Sequence, residues 1–315
     1  MTSSDLWDEQ DAQRYDASSA EMFAPAVLEP AVAFLAGLAE GGPALEFAIG
    51  TGRVAVPLAA RGIRVTGIEL SEPMVAQLRT KVDAVTVPVV IGDMASTRAD
   101  GQFSLVYLVF NTISNLLTQP EQVECFRNAA RHLAPGGRFV IELWVPPLRR
   151  FPPGQSAVPF DIGDRHLGFD TYDLATQRGT SHHYSTEADG SIRHGTSNFR
   201  YLWPAECDLM AELAGLKPEK RIADWAGAPF TSDSESHISV WRKPRAVGRQ
   251  PGHASGCKNA ASSSMPSGNR RPGRAQEASA STASTGTPSG SVPFATSSSA
   301  SRCAASRPNP QGATT

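Results

Sequence analysis

The chain has 315 residues and a formal net charge of −2, which is the sum of two unlike regions. Residues 1–244 carry 30 acidic side chains against 21 Lys or Arg, whereas residues 245–315 carry one acidic side chain against eight Lys or Arg. The acidity of the longer region argues against binding to nucleic acid, because such a surface needs clustered Lys and Arg.

The four cysteines are scattered, and none forms a C-x-x-C pair, which favours reduced thiols in a cytosol. Residues 1–10 are polar and acidic, unlike a secretory signal, and no apolar run approaches the length that spans a bilayer. We therefore expect a soluble, cytoplasmic protein without a membrane partner. Its oligomeric state is not indicated.

Strand-like and helix-like segments alternate over residues 41–145, which predicts an α/β fold with a doubly wound parallel sheet. Residues 1–40 are predicted to form cap helices ahead of this core, with apolar groups at helical spacing over 26–39. The predicted strands are residues 44–48, 64–70, 87–91, 103–110 and 138–143. The predicted helices between them are residues 54–60, 71–82 and 121–133.

The pattern changes after residue 145. Residues 146–203 contain strand-like segments at 167–173, 177–186 and 191–202, and an Asp-Gly hairpin signal joins the last two. They predict a β-rich lid, inserted after strand five, that faces a substrate.

Residues 204–244 are predicted to close the core with one helix and two strands. Residues 245–315 are rich in Ser, Pro and Gly and cannot bury enough apolar surface to offset the entropy of ordering. We predict that they form a disordered tail.

A glycine-containing turn, LEFAIGTGR at residues 45–53, joins the first predicted strand to a helix. Glycines let a backbone approach a ligand closely, and a helix N-terminus offers free N–H groups. Residues 50–55, GTGRVA, also fit the G-x-G-x-x-A form of a nicotinamide dinucleotide site. The turn alone therefore leaves the cofactor open.

Features further along the chain narrow the choice of cofactor. Glu69 ends the second predicted strand, 17 residues after Gly52, where a carboxylate can accept ribose hydroxyls. Asp93 ends the third strand, where it can accept from an exocyclic amino group, and Pro-Gly-Gly at 135–137 precedes the fifth. In this order and spacing, residues 40–145 resemble the class I S-adenosylmethionine-dependent methyltransferases.

The resemblance implies S-adenosylmethionine as cofactor and a role for each matching position. Glu46 would face the methionine amino group, Glu69 the ribose and Asp93 the adenine edge. Phe110 and Asn111 would lie beside the sulfonium and the acceptor. The implied cofactor-binding positions are Tyr15, Glu46, Ala48, Gly50, Thr51, Gly52, Arg53, Glu69, Leu70, Met74, Asp93, Met94, Phe110 and Asn111.

Purely structural roles compete with these assignments. The strand-end carboxylates can be solvated side chains, Asp93 can cap a turn, and Tyr15 can belong to an amphipathic helix packed on the sheet. Ala48 departs from the family, because it occupies the first glycine position of the E-x-G-x-G-x-G signature. Its methyl group is tolerable if the local φ is negative, although the loop then lies slightly farther from the ligand.

The methyl acceptor is predicted to be a small molecule with an N- or O-nucleophile, attacked by in-line displacement. Residues 110–113, FNTI, lack the Asn-Pro-Pro-Tyr run of exocyclic-amine methylases of nucleic acids and proteins. The layout resembles small-molecule N-methyltransferases, including those acting on amino-sugars. Candidate general bases are His182, His183 and Tyr184, although alternation along a strand lets at most one of the two histidines face a substrate.

No metal-ligand spacing is evident, so we expect a metal-free mechanism. Two other functions stay open at this point. A nicotinamide-dependent oxidoreductase would need hydride-handling residues such as Tyr-x-x-x-Lys, which the sequence lacks. A catalytically silent S-adenosylmethionine-binding protein would account for Ala48.

Overall fold

A computed structural model describes residues 7–148, 151–187 and 189–245. All of the predicted tail except Arg245 lies outside these residues. The strands are β1 (Ala44–Phe47), β2 (Val65–Glu69), β3 (Val89–Ile91), β4 (Phe103–Leu108), β5 (Leu133–Trp144), β6 (Ala157–Ile162), β7 (His166–Asp173), β8 (Arg178–Thr186), β9 (Ile192–Arg200), β10 (Lys217–Ile222) and β11 (Ser236–Arg242). The helices are α1 (Glu9–Ser18), α2 (Pro25–Ala39), α3 (Ala55–Ala60), α4 (Glu72–Arg79), α5 (Gln119–His132) and α6 (Pro204–Leu213).

Seven strands form the central sheet in the order β10-β11-β5-β4-β1-β2-β3. The strands from β5 to β3 run parallel, and β11 runs antiparallel to both β5 and β10. Apolar side chains cover both faces, as a parallel sheet flanked by helices requires. Phe126 and Trp241 pack on one face and Leu35 and Leu58 on the other. The predicted doubly wound sheet is confirmed.

The β-rich insertion after β5 is an antiparallel sheet in the order β6-β7-β8-β9, here called the second sheet. It contains one more strand than the three predicted. The sequence of β6 includes Pro159, which lacks an N–H for a ladder, and its pairing with β7 shifts between Pro159 and Asp161. A proline within a run of residues argues against a strand, so the sequence pattern did not predict β6. The structure places β6 at the edge of the sheet, where a proline is tolerated.

The end of the second sheet is joined to the core through a buried arginine. Arg200, at the end of β9, is 4% exposed and donates hydrogen bonds to Glu206 Oε1 (2.8 Å) on α6 and to Gln177 Oε1 (3.0 Å). It also bonds to the side chain of Gln122 on α5, whose amide donates to the Arg200 carbonyl (3.1 Å). A buried guanidinium with several partners is a strong connection between elements.

Helix α1 also contacts the core through polar groups. Asp16 accepts a hydrogen bond from the Thr51 hydroxyl (2.6 Å) and forms an ion pair with Lys81. The Ser71 hydroxyl donates to the Trp7 carbonyl (2.8 Å), just ahead of the helix. None of the helices in the described ranges is long and apolar enough to cross a membrane.

Candidate active site

A cavity of about 1320 Å³ lies beyond the carboxyl ends of the central strands and extends to the second sheet and to α1. It spans the ends of β1 and β4, where connections leave the sheet in opposite directions and α/β proteins bind ligands. The predicted cofactor positions that line it are Tyr15, Ala48, Gly50, Arg53, Glu69, Leu70, Met74, Asp93, Met94, Phe110 and Asn111. The remaining three, Glu46, Thr51 and Gly52, are buried and are not part of the lining.

Glu69 has the geometry expected of a ribose ligand. Its carboxylate is 5% exposed and accepts the backbone N–H groups of Gly50 (2.8 Å, Oε2) and Ser71 (2.9 Å, Oε1). The Leu70 N–H also hydrogen-bonds to this carboxylate, and the lone-pair capacity that remains can accept a hydroxyl. Burial raises the pKa of the Glu69 carboxyl, and the backbone hydrogen bonds oppose that shift.

Glu46 is enclosed more completely. It is 3% exposed, and the Tyr107 hydroxyl donates to its Oε2 (2.8 Å). Burial raises the pKa of the Glu46 carboxyl to about 8, against the lowering effects of that hydrogen bond and of the Arg53 charge. The carboxyl is therefore mostly protonated at neutral pH. Its predicted contact with the methionine amino group stays a prediction, because the residue does not line the cavity.

The turn after β1 contains three left-handed residues. Ala48 has φ +50°, so the negative φ that would make its methyl group tolerable is not present. Gly50 (φ +57°) lines the cavity, and a Cβ on it would make only a van der Waals contact, 4.0 Å from the Ala48 carbonyl oxygen. By contrast, a Cβ on Gly52 (φ +80°) would lie 2.2 Å from Leu78 Cδ1. Gly50 permits close approach of a ligand, whereas Gly52 is required by packing on α4.

Thr51 and Arg53, in the same turn, have different surroundings. The Thr51 hydroxyl binds Asp16 on α1, and its carbonyl accepts from Lys81 Nζ (3.0 Å), so Thr51 helps to hold α1. The Arg53 guanidinium lies 5.3 Å from the centroid of the Phe110 ring. Among the described residues that line the cavity, Arg53 is the only Lys or Arg.

The ends of β2 and β3 present the positions predicted for adenine. Met74 and Met94 are 4% and 7% exposed and border the cavity beside Leu70. Asp93 Oδ1 accepts the Ala95 N–H (2.6 Å), so this residue does cap a turn while lining the cavity. Tyr15 also lines the cavity, and burial raises its pKa.

The end of β4 carries two consecutive left-handed residues, Phe110 and Asn111, each with φ +61°. Glu142, near the end of β5, accepts the Phe110 N–H at Oε2 (2.8 Å) and the Trp225 Nε1–H at Oε1 (2.6 Å). Asn111 Oδ1 in turn accepts the N–H of Trp144 (2.6 Å). The sequence analysis missed Glu142, although a carboxylate at a strand end was a usable signal.

The second sheet does not bring the three predicted bases to the cavity lining. His182 and Tyr184 share the face opposite to Ser181, in a stack that includes Phe169 (4.8 Å between its centroid and that of His182). His183 is buried, with Nδ1 3.1 Å from His166 Nε2, and burial lowers its pKa to about 4. From this strand, Ser181 lines the cavity instead; its hydroxyl donates to Asp170 Oδ1 (2.6 Å) on β7, which also lines it.

The cavity is strongly acidic. Eight carboxylates line it against the single guanidinium of Arg53: Glu21, Glu69, Asp93, Glu142, Asp170, Asp224, Asp233 and Glu235. Within the ranges that the structure describes, no group of three His, Cys, Asp or Glu side chains is placed to hold a metal ion.

Comparison with known proteins decides the family. The family model described as "Methyltransferase domain" matches residues 44–137. The solved structure of the CcbJ methyltransferase from Streptomyces caelestis is 36% identical, with a TM-score of 0.67, over 75% of this chain and 98% of that one. The chain belongs to the class I S-adenosylmethionine-dependent methyltransferases.

This methyltransferase is also similar to the cypemycin N-terminal methyltransferase of a Streptomyces species, at 28% identity over 76% of the chain and 98% of the relative. A dTDP-4-amino-2,3,4,6-tetradeoxy-D-glucose N,N-dimethyltransferase from Saccharopolyspora spinosa is 35% identical over 34% of the chain and 42% of the relative. S-adenosylmethionine is the methyl donor, and the alternative of a nicotinamide-dependent oxidoreductase is wrong.

Proposed function

We propose that this methyltransferase transfers the methyl group to an amine nitrogen of a small-molecule acceptor. The excess of carboxylates over Arg53 in the cavity carries the proposal. A cleft lined by one sign of charge raises the local concentration of ligands of the opposite sign, and an aliphatic amine enters as an ammonium ion. A neutral alcohol gains nothing from that field.

The printed names of the relatives support a nitrogen nucleophile. One is an N-terminal methyltransferase, and two are N,N-dimethyltransferases of amino-sugars. The two sugar acceptors are both dTDP-linked, and what they share with the N-terminal acceptor is the amine. The chemistry that they share is therefore the part we carry to this chain, and the body of the acceptor stays open.

On this proposal the cofactor lies along the ends of β1, β2 and β3. Glu69 would bind the ribose hydroxyls, and Asp93 would accept from the adenine amino group. Arg53 would form an ion pair with the methionine carboxylate, because it is the single Lys or Arg in the described lining of the cavity. The bound cofactor supplies a methyl group on a sulfonium, which is already an activated electrophile.

The protein's contribution is then largely positional. Holding a nitrogen in line with the methyl group at near-contact distance, away from water, supplies most of the acceleration. The nitrogen must lose its ammonium proton before it attacks, and the carboxylates of the cavity are available to accept it. The apolar walls given by Trp144, Phe160 and Trp225 would limit the entry of water.

The test pairs each amine with the matching alcohol. The wild-type enzyme is incubated with labelled S-adenosylmethionine and a panel of amino compounds and their hydroxyl isosteres, including amino-sugars and short peptides. We expect N-methyl products, identified by mass spectrometry, and no O-methyl products. O-methylation alone, by a protein that binds S-adenosylhomocysteine in calorimetry, would contradict the amine proposal.

A further inference from the structure

We infer that Glu142 is a positioning residue for methyl transfer: it fixes the strained turn after β4 and the indole of Trp225 in one arrangement at the cavity. The inference rests on the proposed transfer within this cavity. Glu142 lines the cavity, and its two carboxylate oxygens are used by different elements. Oε2 accepts from the backbone after β4, and Oε1 accepts from the loop between β10 and β11.

The turn needs such a restraint. Phe110 and Asn111 both adopt φ +61°, a left-handed conformation that is strained for a residue with a Cβ, and more so for Phe110 than for Asn111. Conformations of this kind persist only where the surroundings over-determine them, and they cluster at functional sites. Here the side chain of Glu142 accepts the Phe110 N–H, and the backbone carbonyl of Glu142 accepts the Asn111 N–H (3.1 Å).

The arrangement also joins the two halves of the site. The Phe110 ring lies beneath the Arg53 guanidinium, which belongs to the cofactor turn. The Trp225 ring belongs to the loop 223–235, whose residues line the acceptor side together with the second sheet. Glu142 therefore sets the distance between a wall of the cofactor pocket and a wall of the acceptor pocket. A displacement of about 1 Å between reacting groups can lower a rate about a hundredfold.

Glu142→Gln tests this hydrogen-bond pattern with almost no change in shape. A carboxylate accepts two N–H donors, whereas a carboxamide accepts one and turns its own N–H₂ toward the other. We expect kcat to fall at least tenfold, while the Kd for S-adenosylhomocysteine changes less than threefold. Glu124→Gln, at a half-buried carboxylate of α5 that pairs with Arg131 and does not line the cavity, is the matched control and should leave kcat within twofold.

A double variant separates positioning from the loss of charge. Trp225→Phe removes the indole N–H, so that in Glu142→Gln/Trp225→Phe the amide oxygen can accept the Phe110 N–H and no second donor opposes the N–H₂ group. We expect the double variant to recover kcat at least threefold relative to Glu142→Gln. If Glu142 acted only through its charge, the double variant would be no faster than the single one, and the inference would be overturned.

Two further results keep the test decisive. If Glu142→Gln does not fold, Trp225→Phe alone must lower kcat at least threefold with the Kd for S-adenosylhomocysteine retained, and an unchanged kcat overturns the inference. If the wild-type enzyme methylates hydroxyls rather than amines, the amine proposal fails. The same variants are then compared on that hydroxyl acceptor, so the two failures are distinguishable.

Discussion

The half of the cavity that we propose for the cofactor and the half that we propose for the acceptor are built in different ways. The proposed cofactor half is lined by side chains at the ends of parallel strands, such as Glu69 and Asp93, whose positions follow from the order of the strands. The proposed acceptor half is lined by one face of the second sheet and by the loop 223–235, through residues such as Ser181 and Trp225. The first half is fixed by the architecture of the family, whereas the second depends on local register and loop conformation.

This difference indicates where function can vary. Ligand sites built from strand ends share the rigidity of the central sheet, while loops and inserted sheets can change without disturbing it. The relatives that we compared are all named as methyltransferases, and their printed names show different acceptors. Glu142 is the point at which the two halves meet, because it binds one element from each side.

The largest expected effect concerns the buried carboxyl of Glu46. Its folded-state pKa of about 8 lies above the ordinary value of 4.5, so folding favours the neutral form. That contribution to stability is fully present below pH 4.5 and is lost as the pH rises to about 8. The upper bound is about 5 kcal/mol. Between pH 5 and pH 9, the wild-type protein should therefore lose more stability in urea unfolding than Glu46→Gln. Equal losses of stability in the two proteins would contradict a neutral Glu46 in the folded state.

The next effect concerns the ribose contact. Glu69→Ala removes charge-assisted hydrogen bonds worth about 1.5–3 kcal/mol and should weaken binding of S-adenosylmethionine by one to two orders of magnitude. Calorimetric titration measures this directly. Glu21→Ala, an exposed carboxylate of the same cavity, is the comparison for general loss of negative charge. An unchanged affinity for Glu69→Ala would remove Glu69 from the cofactor site.

A smaller effect should show which end of the cofactor Arg53 contacts. If Arg53 binds the methionine carboxylate, Arg53→Ala should lower affinity for S-adenosylhomocysteine about tenfold, because an ion-paired hydrogen bond is worth at least 1.5 kcal/mol. Adenosine, which lacks that carboxylate, should bind both proteins equally. Equal losses for both ligands would indicate that Arg53 acts by supporting Phe110 instead.

Ala48→Gly should raise stability. Relief of the left-handed strain at φ +50° outweighs the entropic cost of glycine, for a net gain of roughly 0.5–1 kcal/mol. Ala59→Gly, inside helix α3, is the control and should lower stability by about 1 kcal/mol. Thermal unfolding of the two variants should therefore shift in opposite directions, and a lower melting temperature for Ala48→Gly would contradict the strain.

The smallest effect is expected on the far face of the second sheet. His182→Ala and Tyr184→Phe should leave kcat within about threefold, since both side chains lie in the aromatic stack opposite to Ser181. Ser181→Ala, on the face that lines the cavity, should raise the KM for the acceptor more than either outer-face variant does. A hundredfold loss of kcat in either outer-face variant would restore that residue as a candidate base.

The sequence was sufficient to predict which strand-end side chains line the cavity, because strand ends are marked by a change from apolar to polar residues. The positions of Glu69 and Asp93 require only that each strand ends where its pattern ends. Conformation was harder to predict. The sequence alone does not predict the positive φ of Ala48. It also does not predict the packing of Gly52, which depends on contact with Leu78 on α4.

The acceptor half was less predictable. In a strand, a register shift of one residue moves every side chain to the other face, so His182 and His183 could not be separated without the pairing of β7 and β8. The partner of Glu142 is Trp225, 83 residues later, in a loop without a periodic pattern. Contacts of this kind depend on tertiary structure.

The connection at Arg200 makes separation of the second sheet from the core costly. Pulling that sheet away would leave a buried guanidinium without its partners, at a cost of about 3–5 kcal/mol. The second sheet carries Ser181 and Asp170, which line the cavity. We therefore expect these walls to stay assembled between turnovers, so that ligand exchange does not require the second sheet to detach.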